Sequence, residues 1–541
     1  MRRSARAVAL GLSLALVLAA CNGEDDPTID DPDADAEAPD DEDGEPGGEF
    51  SIYNCEPQFL LPSNSAEVCG SKVLDQLFSG LFENDPDTFE PVPVMAESVE
   101  TEDSQNWTIT IRDDFTFHNG DPVTAQSFVD AWNFTVDPEN AQQNATPFFT
   151  NFVGFDEVQE GEADEMSGVS APDDTTIEIE LTEPFAPLES MLAYTAFFPL
   201  PEVAYEDIDA FEQAPIGNGR YQMDGEWEHD QRIAMERYED WPGDNPGLAD
   251  RITWEIYEDV GTAYLDVQAG ELDILDSIPP EREGDAEADF GDNLVSTETS
   301  TFTYMGFPLY DERFDDVDVR RAFSMAIDRQ AIIDAIFDGA RTPATSVIPP
   351  VLPAFREGIC EACEYDPDQA AELLEEAGGW DGELTVYFNS GAGHDEWVEA
   401  VAGQWQDNLG IEDISFESLE FAQYLDLLDN DEITGPFRLG WVLSYGSSQY
   451  ALEPVYTTGV SSNYFDYSSE EFDNLIAEAN RQDDFDDAEA LYQEAEEVLL
   501  NDMPNIPMWF ETRTSVHSER VSNVIMDART FIRVERVQVE D

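Results

Sequence analysis

Apolar residues in this chain follow two periods, and the change from one to the other marks out its elements. Trp107, Ile109 and Ile111 alternate with Thr108, Thr110 and Arg112, and residues 176–181 (TIEIEL) alternate in the same way. Both stretches predict half-buried strands. Phe115 and Phe117 extend the first alternation to Asn119-Gly120, a strong turn signal. Residues 73–82 (VLDQLFSGLF) are instead apolar at 73, 74, 77, 78, 81 and 82, which predicts a single helix. Thr124 is the predicted N-cap of another, with Ala125, Phe128, Val129, Trp132 and Val136 on one face and Asp137-Pro138 as its end.

The two periods interleave most regularly between residues 384 and 443. Residues 384–388 read as a strand, and 396–409 as a helix burying Trp397, Val398, Val401, Ala402, Trp405 and Leu409, stopped by Gly410. A strand at 414–416, a helix at 421–428 and a strand at 437–443 follow. This is a βαβαβ unit with a largely parallel sheet, so the fold class is α/β. Helices at 469–480 and 487–500 come after it. The last strand opens residues 435–450 (GPFRLGWVLSYGSSQY) and gives way to a Tyr/Ser/Gly loop. Open α/β sheets hold their ligands at the carboxyl ends of strands, so this stretch is the expected floor of a binding cleft.

The amino terminus supplies an address. Arg2, Arg3 and Arg6 precede an apolar run, residues 7–20, that is too short to span a membrane as a mature helix. It ends in Leu18-Ala19-Ala20-Cys21, which resembles the bacterial lipobox, so Cys21 is the expected lipidation site and residues 1–20 a lipoprotein signal peptide. Residues 21–49 are nearly all Asp, Glu, Pro, Gly and Ala and read as a disordered acidic tether. Four cysteines remain, and an oxidising compartment invites them to pair. Three connectivities are open. Two local bridges, Cys55 with Cys69 and Cys360 with Cys363, are favoured because each pair flanks or sits in a loop. No histidine accompanies either pair, so no metal site is expected.

Charge narrows the partners. Against 122 Asp plus Glu stand 23 Lys plus Arg, a formal net charge of −99, and Lys72 is the only lysine. Nucleic acid is excluded as a partner, because phosphate binding needs basic patches. A lysine-poor acidic surface suits life in high salt, where screening shortens to a few ångströms; an acidic secreted protein from a GC-rich genome is the plainer alternative. At 541 residues, 41% hydrophobic and 11% aromatic, the chain has material for two to three domains.

Residues 106–134 (NWTITIRDDFTFHNGDPVTAQSFVDAWNF) resemble the signature region of the family 5 extracellular solute-binding proteins, the oligopeptide and dipeptide receptors of ABC importers. The resemblance continues in order through 176–188, 214–223, 265–275, 314–333, 467–479 and 491–510, so it covers the chain from about residue 50. It implies a periplasmic-binding-protein-like fold (type II, cluster C), a two-lobed clamp with an extra small lobe and a hinge. Lobe I would comprise 50–81, 201–302 and 510–541, the extra lobe II 82–200, and lobe III 303–509. Hinges would lie near 302–306 and 506–510. It also implies a monomer on the outer face of the cytoplasmic membrane, delivering peptides to a permease and ATPase, with no cofactor.

The chemistry agrees with binding rather than catalysis. His118, His229, His394 and His517 are scattered, and no G-x-S-x-G elbow is present, so no enzyme is expected. Arg438 is one of few cations; an arginine in a strand clamps a carboxylate bidentately, and the alternative is an ion pair with a neighbouring acid. Trp441 would stack on ligand or pack in the core. The resemblance places Arg438 in the peptide site, and Tyr445 matches an aromatic of the family. Family peptide binders carry Asp three residues after the Trp, to pair the ligand's amine, and here that residue is Ser444. Glu453 is a candidate substitute anchor, while Tyr304 and Asn463 are cleft candidates by family position alone. An amine-free solute such as a sugar or a metal chelate, or a ligand-sensing receptor, are the alternative readings.

Overall fold

Two thirteen-residue strands, Leu294–Gly306 and Asn505–His517, run antiparallel through the middle of the molecule. The computed structural model describes residues 46–279, 282–390, 393–419, 421–482 and 485–540. The expected signal stretch, Cys21 and the tether as far as residue 45 lie outside the described residues. Among the described residues no helix is long and apolar enough to cross a membrane.

The long pair is the spine of an eleven-stranded mixed sheet. On one side Phe437–Trp441 pairs with Leu294–Gly306, followed by Leu384–Asn389 and the edge strand Ile414–Leu419. On the other, Ile274–Leu275, Glu49–Asn54, Arg251–Ile256, Arg232–Arg237 and Tyr221–Met223 follow in order. The first strand thus begins at Glu49, one residue inside the expected tether.

The predicted βαβαβ unit is present, with helices Asp395–Leu409 and Phe421–Asp429 between its strands. Leu384–Asn389 runs parallel to both Ile414–Leu419 and Phe437–Trp441. Trp397, Val398, Val401, Ala402 and Trp405 are buried as the periodicity requires, and Gly410 stops the helix at φ +70°. The alternating stretches form Asn106–Ile111 and Thr176–Glu180, adjacent in a separate four-stranded antiparallel sheet. Helix Ala125–Val136 covers it, its Thr124 N–H donating to Ser127 Oγ at 3.2 Å. Trp132 is fully buried there, edge-on to Phe197 with ring centroids 5.8 Å apart.

One element departs from its prediction. The helix expected over 73–82 spans Val68–Leu77, and Phe82 opens strand Phe82–Asn84. Its start is set by Glu67, whose carboxylate accepts from the N–H groups of Cys69 and Gly70 at 2.6 and 2.9 Å. Its end follows from the buried amide of Asn218, which bonds both the N–H and the C=O of Ser79 at 3.1 and 2.9 Å. That backbone is satisfied without a further helical turn. Phe78, Leu81 and Phe82 are buried all the same, which is why the apolar pattern runs past the helix.

Apolar side chains gather into two large cores. One runs from Phe50 to Trp254 and returns with Val521–Val537, so expected lobes I and II share it; the other holds most buried apolar side chains between Phe302 and Phe510. Between the cores the spine loses register, from Glu298 to Phe302, where Thr299 Oγ1 donates to the Glu511 carbonyl at 3.0 Å. This break lies just before the expected hinge at 302–306. The cysteines fall in local pairs, Cys55 with Cys69 and Cys360 with Cys363, at Cα separations of 5.5 and 5.3 Å.

Candidate functional site

Strand Phe437–Trp441 stops two residues short of the expected 443, and its side chains divide between its two faces. Phe437 and Leu439 are buried in the second core. Arg438 points the other way, into a cavity of about 410 Å³ that also takes in Arg341, Asn389, His394 and Glu511. Trp397 and Trp509 back this cavity from the core, and Phe421, 48% exposed, stands at its rim. The size and the mixture of aromatic walls with a few polar groups suit a small-ligand site.

The electrostatics of the cavity are unusual for so acidic a chain. Among the described residues no carboxylate lies within 4.0 Å of the Arg438 guanidinium. Its one hydrogen bond goes from a terminal nitrogen to Asn389 Oδ1 at 3.3 Å, and its Nε is buried without a partner. Burial pulls its pKa down, opposed by the nearby Glu511. An unmet buried donor of this kind costs about 1–3 kcal/mol, an expense a ligand acceptor would relieve. Arg341 also has a buried, unpartnered Nε; its terminal nitrogen stands 4.0 Å from Glu511 Oε2. Glu511 itself accepts from Thr303 Oγ1 at 3.3 Å. Burial, aided by Arg438, holds His394 at about 4, so the ring is neutral near pH 7. Trp397 Nε1 donates to its Nδ1 at 3.3 Å, which leaves the proton of the neutral ring on Nε2 as a donor.

The structure separates the other predicted residues from Arg438. Trp441 lies on the opposite face of the strand and is half-buried, its Nε1 donating to the Tyr450 carbonyl at 2.7 Å. It anchors the loop. Ser444 donates to the Tyr450 hydroxyl at 3.2 Å, and Tyr445 is buried against the first core with its hydroxyl donating to Gln449 at 2.7 Å. Glu453 accepts from Gln449 and Asn480 at 2.7 and 2.9 Å, and burial raises its pKa. It is engaged inside the loop's support. Tyr304 is 2% exposed and packs on Phe302 and Phe465. Asn463 ties a loop by donating to the Thr457 and Tyr467 carbonyls at 3.0 and 2.7 Å.

Asn389, Arg341, Glu511 and His394 were not singled out as site residues by sequence. Asn389 ends a parallel strand, so the rule that located Arg438 points to it as well. Arg341 and Glu511 meet only because Arg341–Pro343 pairs with Asn505–His517, and no local pattern signals that pairing.

The loop after the strand is wedged between the two cores. Phe89, between strands Phe82–Asn84 and Pro91–Pro93, is buried in the second core and holds φ +59°, a strained value for a bulky residue. Its carbonyl abuts Gly446, where an added Cβ would stand 1.9 Å from the oxygen. The Ser300 hydroxyl, at the spine's register break, accepts from the Leu443 N–H at 3.3 Å. Loop and spine therefore move together. Gly446→Ala is expected to cost about 1–3 kcal/mol, as overpacking does. Urea unfolding checks this; a variant as stable as the parent would remove Phe89 as a fixed stop.

Known proteins share this architecture. The chain is 28% identical over 456 residues to the dipeptide-binding protein DppE of Bacillus subtilis, covering 81% of this chain and 82% of that one. It superposes with a TM-score of 0.84 on the murein tripeptide binding protein MppA in its unliganded open form, at 24% identity, covering 92% of this chain and 99% of that one. On Haemophilus influenzae OppA in complex with RPPGFSPFR the TM-score is 0.67 at 25% identity, covering 92% and 100%. The profile of one family matches residues 90–463, well over half of the 541, and by that match the chain belongs to the bacterial extracellular solute-binding proteins, family 5.

Proposed function

We propose that this chain is an extracytoplasmic receptor of an ABC importer that captures peptides in the Arg438 cleft and presents them to the permease. The carrying observation is the cavity of about 410 Å³ at strand ends with an arginine that, among the described residues, has no acid within 4.0 Å. A peptide's carboxylate is the group that such a guanidinium takes best. DppE, named for dipeptides, and OppA, solved with a nonapeptide, support the ligand class. Cys21 holds the chain by lipid on the outer face of the cytoplasmic membrane. It works as a monomer and is not an enzyme. The bridges Cys55–Cys69 and Cys360–Cys363 form in that compartment.

The better superposition on an open form than on a peptide complex supports an open clamp in the described geometry. Ligand then closes it by contacts completed only in the closed state, with the spine's register break as the flexing point. Ser444, where an anionic amine anchor was looked for, favours one second reading, an amine-free solute in the same cleft.

Mass spectrometry of the ligand that co-purifies, followed by thermal shifts with a peptide set, tests the assignment. Stabilisation by peptides is expected. A shift with an oligosaccharide and none with any peptide would replace it by the second reading.

A further inference from the structure

Arg438 is not alone in its cavity. Arg341 reaches it from strand Arg341–Pro343, and both guanidinium groups keep a buried Nε that bonds to nothing among the described residues. Arg356 is the one other arginine of which this is recorded among the described residues, and it lies elsewhere, paired with Glu496 and Glu497. Arg341 is held without being satisfied. One terminal nitrogen donates to the Ala340 carbonyl at 2.6 Å, the guanidinium lies over Phe337 at 5.0 Å, and Glu511 is 4.0 Å away.

A chain with 122 acidic residues has ample means to neutralise an arginine. Among the described residues that line the cavity around these two stands one carboxylate, Glu511, which already accepts from Thr303. With His394 neutral, those residues count two positive charges against one negative. One ligand carboxylate would balance the sum but leave one of the two fixed guanidinium forks unmatched. A second carboxylate completes both pairs, and fork-to-carboxylate matching rewards that geometry over a single point charge.

We infer that Arg341 is a specificity-determining residue that reads a second carboxylate, so that the cleft prefers acidic peptides, those with a Glu or Asp side chain in addition to the terminal carboxylate. This rests on the peptide reading above and adds to it. Arg438 takes one carboxylate and Arg341 the other, while Glu511 fills the gap between them in the empty cleft. The neutral His394 contributes a donor and no charge.

Calorimetric titration of the full chain tests this, with alanine tri- and tetrapeptides carrying one Glu, or one Gln, at each position in turn. Molar NaCl, with a screening length of about 3 Å, removes the long-range repulsion of an acidic ligand by the surface. The expected result is that at one position the Glu peptide binds about tenfold tighter than its Gln twin, the worth of one charge-assisted hydrogen bond. Arg341→Gln should collapse that ratio towards one, and Arg341→Lys, which keeps the charge, should retain part of it. Equal affinities for Glu and Gln peptides at every position overturn the inference and leave the peptide reading standing. So does a preference that Arg341→Gln leaves intact. If no peptide binds but propane-1,2,3-tricarboxylate does, in a manner that Arg341→Gln abolishes, the two-carboxylate site stands and the peptide reading falls. Binding of none of these overturns both.

Discussion

Arg438→Gln is expected to weaken peptide binding by about 30- to 100-fold while leaving the empty protein at least as stable as its parent. The two halves of this result have one cause. Among the described residues the Arg438 guanidinium meets Asn389 alone, at 3.3 Å, and buries an unbonded Nε. The folded state therefore gains little from the guanidinium, and the shorter neutral amide removes a desolvated charge. Bound ligand reverses the balance, because a charge-assisted bond to carboxylate is worth about 1.5–3 kcal/mol and each 1.4 kcal/mol is tenfold in affinity. Titration calorimetry and thermal unfolding on the same preparation separate the effects. A drop in melting temperature with binding intact would make Arg438 a structural residue and remove the foundation of the proposed site.

The contrast with Trp441 shows what the sequence could and could not convey. Alternation in residues 437–441 placed the strand, because one face is core and the other cavity. It also set Arg438 and Trp441, three residues apart, on opposite faces, but did not say that the cavity opens on the face of Arg438 alone. Tyr304 makes a different point. On its spine strand the alternation Thr301, Phe302, Thr303, Tyr304 sets it with Phe302 on the buried face, against Phe465, while Thr303 faces the cavity, so family position alone made it a cleft candidate. Helices Ala125–Val136 and Asp395–Leu409 were legible because stripe and stop lie in or next to their own residues, with Thr124 as a cap for the first. Helix Val68–Leu77 was not, since its end is imposed by Asn218 from far along the chain. Long-range pairing hid the partners of Arg438 in the same way. Arg341 and Glu511 come from segments 170 residues apart in number, joined only in the sheet.

Arg533→Met is expected to cost about 3–5 kcal/mol at neutral pH, the largest loss of stability that a single surface-remote substitution should produce here. Glu535 is fully buried and accepts from Arg533 Nε at 2.8 Å, and its second oxygen has no partner. Burial alone would raise its pKa; the Arg533 guanidinium, helped by Arg220, instead holds it well below its ordinary 4.5. Arg533 also lies 3.6 Å from Asp527 and 3.8 Å from Glu83, and Asp527 meets Arg529, which pairs with Asp75 at 2.8 Å. The network fastens the carboxyl-terminal segment to helix Val68–Leu77 and to strand Phe82–Asn84. Removing the cation leaves a buried carboxylate with Arg220 as its remaining source of positive charge. The sign of the pH dependence follows from linkage. A carboxylate lowered in the folded state contributes stability above about pH 4.5 and loses it as pH falls through the lowered value. The difference between parent and variant should thus shrink on acidification, as Glu535 accepts a proton in the variant. Adding Glu535→Leu to Arg533→Met should recover much of the loss at neutral pH, since an apolar pair needs no counter-charge. Urea titrations of parent, single and double variants at neutral and acidic pH decide it. A deficit that is independent of pH, or one that the second substitution deepens, would mean that Arg533 acts through packing and not through its charge.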